Sequence, residues 1–386
     1  MSIELKFIDS IHQVSASEWD ALCVTDYPFI RHAFLSTLED SLSTHAKNGW
    51  QIAHLVAYEN QQLIAAMPGY IKYHSYGEYV FDWAWADAYK RYGMDYYPKW
   101  INAIPFTPCT GQRLLIAKDY SINNLLEKIV PFLKETCQLS DLSGWHGLFS
   151  DDQLHQALNQ QQIDCRLGVQ FHWFNKNYKH FDDFLSQLTS RKRKNIRKER
   201  QEIIDQQIQF ETKEGSDISE EDMQLFFRFY CNTYHKRSGH AGYLTANFFS
   251  QIRINLAENL LLIQATKESS DGSTNAIAAS LFFRDQQTLY GRYWGCFEDY
   301  QFLHFETCYY QGIDYAIANQ LKRFDGGAQG EHKIARGFEP VFTYSHHWLK
   351  APEFQTAIQH FLIEEAEAVK AYADEAAELL PFKQEK

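Results

Sequence analysis

The stretch FDGGAQGEHKIARGFEPVFTYSHHWL, Phe324–Leu349, decides how the second half of this 386-residue chain is interpreted. A strand-like start leads into a loop with four glycines, and the loop leads into the next strand-like run. Glycine relieves backbone constraint, which is typical of a strand end that bulges to admit a ligand. The loop also collects polar side chains of different chemistry: Asp325, Glu331, His332, Lys333 and Arg336. A functional loop is therefore predicted, with a charged turn held by ion pairs as the alternative.

The elements that precede this stretch repeat an order found in the first half of the chain. ISEEDMQLFFRFYCNTYHKRSG predicts a helix with Ser219 as N-cap, and a hairpin, a strand and a helix follow before RFDGG. In the first half, a helical stretch over residues 16–42 precedes four strand-like runs, a helix and a last strand. These runs are WQIAHLVAYE, QLIAAMPGYIKYH, GEYVFDWAW and QRLLIA, then SINNLLEKIVPFLKETC and GWHGLFS. The pattern predicts an α/β (α+β) fold of two similar units, each a mixed, mostly antiparallel sheet flanked by helices.

The repeat also sets the predicted domain boundaries. We place the first unit at 1–170, the second at 171–350, and an amphipathic C-terminal helix at 351–386 that packs on the second unit. A cleft between the two units is the expected position of a ligand site.

Composition narrows the classes of protein. A net charge of −12 means that the protein surface as a whole repels duplex DNA, so duplex DNA is excluded as a partner. The seven scattered cysteines are typical of reduced thiols rather than of a disulfide framework. The N-terminus has no signal-peptide pattern, and no apolar run approaches the ~18 residues of a spanning helix. A cytoplasmic protein without a membrane span is predicted.

One basic segment stands apart from this acidic average. SRKRKNIRKER, Ser190–Arg200, holds seven of the 37 Lys and Arg residues. It lies in a predicted helical region, 181–204, that is either one amphipathic helix or two helices broken at Thr189–Ser190. Like charges one turn apart destabilise a helix. This loss of helix stability suggests that the segment binds a polyanionic partner. The alternative is that the charges form a solvated face of the helix. The candidate anion-binding residues are Arg191, Arg193, Lys194 and Arg197.

Several of these stretches resemble the FemAB-like family of predicted N-acyltransferases, which is grouped with the GNAT superfamily. They are PFTPCTGQRLL, GEYVFDWAWADAY, YYPKW, SRKRKNIRKER and the opening stretch, and they span about Ile11 to Leu349. The resemblance implies two GNAT-like units in tandem. It also implies transfer of an acyl or aminoacyl group to an amine acceptor, as Fem enzymes transfer amino acids from aminoacyl-tRNA to a peptidoglycan precursor.

The sequence departs from acetyl-CoA-dependent GNAT enzymes at the turn that binds the CoA pyrophosphate. Lys118–Ser121 and Phe297–Gln301 stand where that glycine-rich turn is expected, and neither contains glycine. The donor therefore stays open between aminoacyl-tRNA and acyl-CoA, with tRNA as a possible partner of the basic segment. The acceptor is expected to be a small-molecule or peptide amine.

Acyl transfer to an amine needs a base and donors to the developing oxyanion. We take His304, Glu331 and His332 as the catalytic candidates. The favoured interpretation of Cys308 is a packing residue, and that of Glu306 is a carboxylate that stabilises the start of the helix. The substrate-binding candidates are Lys333, Arg336, Asp325, Glu78, Asp82 and Lys99. Strand alternation places Glu78 and Asp82 on one face, either for an acceptor amine or as partners of the basic segment. No zinc-ligand spacing occurs around Asp325, Glu331 and His332, so no metal is assigned.

Two other classes of function stay open. One is a non-catalytic recognition module for a peptidoglycan fragment or a nucleotide-linked metabolite. The other is an RNA-binding accessory protein that uses Ser190–Arg200.

Overall fold

Residues 3–328 and 330–383 are described by a computed structural model, and contacts among them divide the chain into two units. The first consists of Met1–Val169 and Phe342–Ala371, and the second of Gln170–Val341 and Tyr372–Lys386. Each unit is a mixed sheet flanked by helices, and a long helix closes the chain, which confirms the predicted fold class. Within the described residues, no helix combines the length and the apolar character needed to cross a bilayer.

Strands and helices alternate along the chain. The strands are β1 (Glu4–Ile8), β2 (Trp50–Ile52), β3 (His54–Glu59), β4 (Gln62–Met67), β5 (Gly69–Lys72), β6 (Lys99–Asn102), β7 (Leu115–Ile116), β8 (Gly144–Ser150), β9 (Asp164–Phe174), β10 (Ile208–Glu214), β11 (Leu260–Glu268), β12 (Thr274–Arg284), β13 (Thr288–Cys296), β14 (Arg323–Asp325) and β15 (Glu339–Leu349). The α-helices are α1 (Ala16–Ala21), α2 (His32–Asp40), α3 (Trp83–Arg91), α4 (Ile122–Leu139), α5 (Asp152–Gln160), α6 (Phe181–Gln187), α7 (Ser190–Asp205), α8 (Glu220–Ser238), α9 (Ala246–Asn255), α10 (Leu303–Phe305), α11 (Gln311–Ala318) and α12 (Pro352–Glu378).

The first unit contains two groups of strands. β1, β3, β4 and β7 form an antiparallel sheet, whereas β2, β5, β6 and β8 follow one another in a second group, with β6 and β8 parallel. The buried face of α4 covers these strands, because Leu126, Ile129 and Leu133 recur at helical spacing and pack around Trp145. This arrangement buries the aromatic and aliphatic core of the unit.

The second unit is built around β10, β11, β12, β13, β14 and β9, in that spatial order. Neighbours in this order are antiparallel except β13 and β14, which are parallel. α8 begins with the capping box predicted at Ser219, whose side chain accepts from the Asp222 N–H at 3.0 Å. It lies so close to β13 that a Cβ on Gly295 would come within 2.2 Å of the Phe229 backbone. The close approach explains why glycine occupies this strand position.

The predicted strand GEYVFDWAW is wrong. Glu78–Asp82 forms no strand, and α3 begins at Trp83. The alternation of aromatic residues covers only a few positions, whereas Trp85 and Tyr89 stand four residues apart, and burying this pair on one helical face decides the local structure. The predicted helical stretch 16–42 is likewise interrupted, because two separate helices, α1 and α2, occupy it.

The C-terminal helix is confirmed as α12, but its expected packing on the second unit is wrong for the first part. Residues up to Ala371 belong to the first unit. The ring of Phe354 lies 4.0 Å from that of Tyr89, and Ile358 and Leu362 join the same cluster around Trp85. These apolar residues form the stripe that the sequence predicts, and α3 supplies the apolar surface that buries it.

Candidate active site

A pocket opens in the second unit where two parallel strands part. β13 pairs with β14 only from Thr288 to Tyr290, because β14 ends at Asp325 while β13 continues to Cys296. Beyond that point a pocket of about 140 Å³ lies beside β13. Among its lining residues are Ser280, Tyr293, Trp294, His304, Cys308, Tyr309 and Gly326. A gap between parted strands provides a concave site without disturbing the rest of the sheet.

A π-helical turn forms one wall of this pocket. Glu306–Tyr310 joins α10 to α11 and adds a residue to the helical turn. His304, Cys308 and Tyr309 all face the pocket as a result of this geometry. Such turns occur frequently at functional sites, so the side chains of this wall are candidate catalytic groups.

His332 forms a hydrogen bond with Tyr309, which lines the pocket. A 3-10 helix, Glu331–Arg336, follows the glycine-rich loop and presents the exposed imidazole of His332. Its Nε2 lies 2.9 Å from the Tyr309 hydroxyl. Gly330, with φ of 118°, packs against this ring, since a Cβ there would approach its Cε1 to 2.4 Å. Glycine is therefore required beside the imidazole by both the backbone conformation and the space.

Both histidines of the site are neutral at pH 7. Although His332 is exposed as a residue, its ring packs against Phe305 and Tyr309, and this partial desolvation, together with the charges of Lys333 and Arg336, lowers its pKa to about 4. Burial lowers the pKa of His304 to about 3, and its ring packs against those of Trp294 and Tyr309. Burial raises the pKa of the Tyr309 phenol, so this hydroxyl keeps its proton. The site therefore offers two neutral imidazoles and one phenolic donor.

Cys308 is a packing residue in this arrangement. Its Sγ lies 3.0 Å from the Ser280 hydroxyl, and burial raises the pKa of the thiol to about 12. A thiol held in its protonated form is a poor nucleophile. The favoured interpretation of Cys308 as a core cysteine agrees with these contacts.

An ion-pair frame holds the 3-10 helix in place. The Arg336 guanidinium stacks on Phe305 at 3.4 Å, donates to the His332 carbonyl at 2.7 Å and to Glu199 at 2.8 Å. Glu199 also accepts from the Tyr310 hydroxyl. Each of these contacts fixes the segment that carries His332.

Arg200, next in α7, extends the frame to the π turn. It donates to Glu306 at 2.9 Å and to Asp314 at 2.7 Å. Glu306 is 3% exposed and also accepts from Gln311, so it stabilises the helix rather than the pocket. The frame shows that α7 contacts the site region through two residues that the sequence did not single out.

The other candidates from the opening stretch occupy different positions. Lys333 is buried and donates to the Gly327 carbonyl at 2.6 Å, while Asp325 is buried and accepts from the Gly327 N–H at 2.9 Å. Glu331 is exposed and accepts from Tyr372. These contacts close the loop around Gly327. Substrate binding by Lys333, Asp325 and Arg336, and catalysis by Glu331, stay predictions.

Glu78, Asp82 and Lys99 form a buried cluster in the first unit. The Lys99 ammonium donates to Glu78 at 2.8 Å and to Asp82 at 2.5 Å, and the three side chains are 1–2% exposed. Burial raises the pKa of Glu78 to about 7, whereas Lys99, acting against burial, lowers the pKa of Asp82 to about 2. The prediction that the two carboxylates share a strand face is wrong. They converge on Lys99 from the segment before α3. Their alternative role as partners of the basic segment is wrong, since Lys99 of β6 pairs with both.

The basic segment begins α7, and of the two alternatives for this region the structure has two helices, since α6 ends at Gln187 and α7 begins at Ser190. Arg191, Lys194 and Arg197 are exposed and Arg193 is half-buried, and Arg197 pairs with exposed Asp182 at 2.8 Å. An anion-binding role for these four residues stays a prediction.

We expect the protein to lose stability as the pH falls below about 6.5. Burial lowers the pKa of His146 to about 3, of His172 to about 4 and of His304 to about 3. At these three imidazoles the unfolded chain, with ordinary pKa values, binds more protons than the folded chain in this window, so their contribution to stability is lost as the pH falls. Glu78, whose pKa burial raises to about 7, contributes the opposite slope, but it is one group against three. From pH 7 to pH 5 the free energy of unfolding should fall by about 2 kcal/mol for each fully buried imidazole.

Urea unfolding at a series of pH values measures this slope. His172→Gln should flatten it, whereas the same change at exposed His45 should leave it unaltered. A free energy of unfolding that stays constant from pH 7 to pH 5 would contradict the assignment of neutral buried imidazoles.

Comparisons with known proteins match the family that the sequence resembles. A family model named FemAB-like, described as peptidoglycan biosynthesis/recognition, matches residues 10–384. The solved structure of FemX is similar with a TM-score of 0.55 and 10% identity, covering 92% of this chain and 99% of that one. A tandem GNAT protein from the clavulanic acid biosynthesis pathway gives a TM-score of 0.47 and 8% identity, with 91% and 99% covered. No curated protein matches the sequence. At these identities the solved structures show the fold alone.

Proposed function

The chain belongs to the FemAB-like family, described as peptidoglycan biosynthesis/recognition, and from this premise we propose that it transfers an acyl or aminoacyl group to an amine acceptor. We place the reaction at the pocket beside β13 in the second unit. The observation that carries the proposal is the hydrogen bond of 2.9 Å between neutral His332 and the hydroxyl of Tyr309, which lines this pocket.

The pair has the groups that acyl transfer requires. The amine nitrogen attacks the donor carbonyl carbon, the bond from that carbon to the leaving oxygen or sulfur breaks, and a proton moves from the amine to the leaving group. We assign the tautomer in which His332 Nε2–H donates to Tyr309, because this leaves the Nδ1 lone pair open to take the amine proton. Tyr309 then gives its own proton to the leaving group and receives the Nε2 proton, so the protons balance.

The lowered pKa of His332 keeps one nitrogen of the imidazole free of a proton, as a general base requires. An imidazole with a pKa of about 4 is neutral throughout the physiological range, so the base is always in its accepting form. Binding the donor and the acceptor next to His332 and Tyr309 also accelerates the reaction, because it converts a bimolecular step into an effectively unimolecular one. Arg336, stacked on Phe305 and bound to the His332 carbonyl, positions the base.

The loop before α10 bears on the choice of donor. The Phe297 carbonyl accepts from Lys236 at 3.1 Å, and Glu298 and Asp299 next to it are exposed carboxylates. A pyrophosphate would meet negative groups here rather than a ring of N–H donors. We therefore propose an aminoacyl-tRNA or another polyanionic donor that uses exposed Arg191, Lys194 and Arg197, with acyl-CoA as the alternative donor.

The test is a donor and acceptor panel with the purified full chain. Acyl-CoA esters and charged tRNAs are each incubated with small amines and with peptidoglycan-type peptides, and the mass gain of the acceptor is followed. The proposal expects enzyme-dependent transfer from at least one donor class. Tight binding of an acceptor without turnover of any donor would instead support the recognition module.

A further inference from the structure

We propose that His155, Cys165 and His346 of the first unit form a binding site for Zn²⁺. The three side chains converge from separate elements: His155 from α5, Cys165 from β9 and His346 from β15. One potential ligand atom from each lies within 4.8 Å of the others. No metal was predicted from the sequence, because ligands so far apart in the chain match no ligand spacing.

Two distances from His155 Nδ1 fit a tetrahedral zinc ion. His155 Nδ1 lies 3.2 Å from His346 Nε2 and 3.7 Å from Cys165 Sγ. With Zn–N bonds of about 2.05 Å and a Zn–S bond of about 2.3 Å, tetrahedral angles require about 3.3 Å between two nitrogens and about 3.6 Å between nitrogen and sulfur. Both distances from His155 Nδ1 therefore agree with a shared ion, and the ligand atoms of His346 and Cys165 lie within 4.8 Å of each other.

The surroundings orient these ligands. The His155 ring stacks on Tyr344 at 3.7 Å with an interplanar angle of 11°. The Asn159 side-chain amide lies 3.2 Å from the other nitrogen of His155 through its Nδ2. Turned by 180° about its last bond, the same amide presents its oxygen, which accepts from the Nε2–H of an imidazole that binds metal through Nδ1. Stacking and hydrogen bonding together hold Nδ1 toward His346 and Cys165.

Donor chemistry and access select the class of metal. Two imidazoles and a thiolate favour Zn²⁺ over the hard cations Mg²⁺ and Ca²⁺, which take oxygen ligands. His346 is buried, whereas His155 and Cys165 are half-buried. Since two of the three ligands are half-buried, solvent can reach the cluster, and water can complete the coordination as the fourth ligand.

A hydrogen-bond network is the competing explanation of the same geometry. Without any metal, the Asn159 amide can donate to His155 Nε2 while His155 Nδ1–H donates to His346 Nε2, with Cys165 Sγ 3.7 Å from Nδ1. The two explanations differ in what the cluster binds, which an experiment with the metal alone decides.

The experiment titrates metal-free full-length protein with Zn²⁺ in a calorimeter and repeats the titration with Co²⁺ in a spectrophotometer. We expect one ion per chain and a thiolate-to-cobalt charge-transfer band. Cys165→Ser should weaken Zn²⁺ binding by more than about a hundredfold, since even outer partners of zinc ligands contribute about 10–100-fold. Cys23→Ser is the matched control, because Cys23 is also a half-buried cysteine of the first unit.

Thermal unfolding with and without Zn²⁺ keeps the test independent of any single variant. Zn²⁺ should raise the melting temperature of the wild type and of Cys23→Ser, and a chelator should reverse the effect. Absence of stoichiometric binding, a cobalt spectrum without the thiolate band, or binding that Cys165→Ser leaves intact would each overturn the proposal in favour of the hydrogen-bond network.

Discussion

His332→Ala is expected to lower kcat/KM for acyl transfer by about a hundredfold to ten-thousandfold, the range that a positioned general base contributes. The substitution removes the imidazole that takes the amine proton and leaves Tyr309 without its partner at 2.9 Å. Because His332 is exposed, the fold should be unaffected. Steady-state kinetics with the donor identified by the panel measures the effect, and circular dichroism monitors the fold.

Two further variants make this result specific. His360→Ala removes an exposed histidine of α12 and should leave kcat/KM unchanged. Tyr309→Phe keeps the ring but removes the hydroxyl, so kcat should fall while KM for the donor stays close to that of the wild type. If His332→Ala keeps more than about a third of the activity, a contribution of at least about a hundredfold by this base is excluded, and His304 becomes the group to replace.

Lys99→Met is expected to lower the free energy of unfolding by about 3–5 kcal/mol, since it leaves buried carboxylates without their cation. Lys99 is 1% exposed and contacts both Glu78 and Asp82, and their remaining oxygens have no other hydrogen-bond partner within the described residues. Urea unfolding measures the loss. The same substitution at Lys6, whose side chain is 50% exposed, should change the free energy by less than about 0.5 kcal/mol.

The triple variant Lys99→Met, Glu78→Gln, Asp82→Asn separates the structural role from a ligand-binding role. Neutralising the carboxylates removes the uncompensated buried charges, so part of the lost stability should return. If Lys99→Met is as stable as the wild type but no longer binds the acceptor amine, the cluster belongs to the substrate site, as the sequence suggested.

Local signals in the sequence predicted the elements that depend on local contacts. Ser219 as a cap, with Asp222 in the first turn, indicated the start of α8, and a break at Thr189–Ser190 was one of two alternatives for the region before α7. In each case neighbours along the chain supply the stabilising interactions, so the pattern carries the information. The glycines of the opening stretch likewise marked the loop that carries His332.

The remaining features depend on partners far apart in sequence. The pattern of apolar residues predicts a regular helix with Tyr309 on its packing face, because a π turn has no signature of its own in such a pattern. Glu199 and Arg200 appeared as two positions of a charged segment, and only the tertiary structure brings them to Arg336 and Glu306. The pairing of Glu78 and Asp82 follows the same rule, since their partner Lys99 lies 21 and 17 residues further along the chain.

Because of the π turn at Glu306–Tyr310, the geometry of the pocket depends on the number of residues in this helix. Substitutions leave that number unchanged. Successive residues of an α-helix are rotated by about 100°. Deleting one residue from this turn would restore regular α-helical hydrogen bonding and rotate His304 by that angle relative to α11. The amino acids lining the pocket would all be retained, yet the imidazole would face away from Tyr309 and Trp294. Register, as much as residue identity, is therefore what this helix must preserve as the sequence diverges.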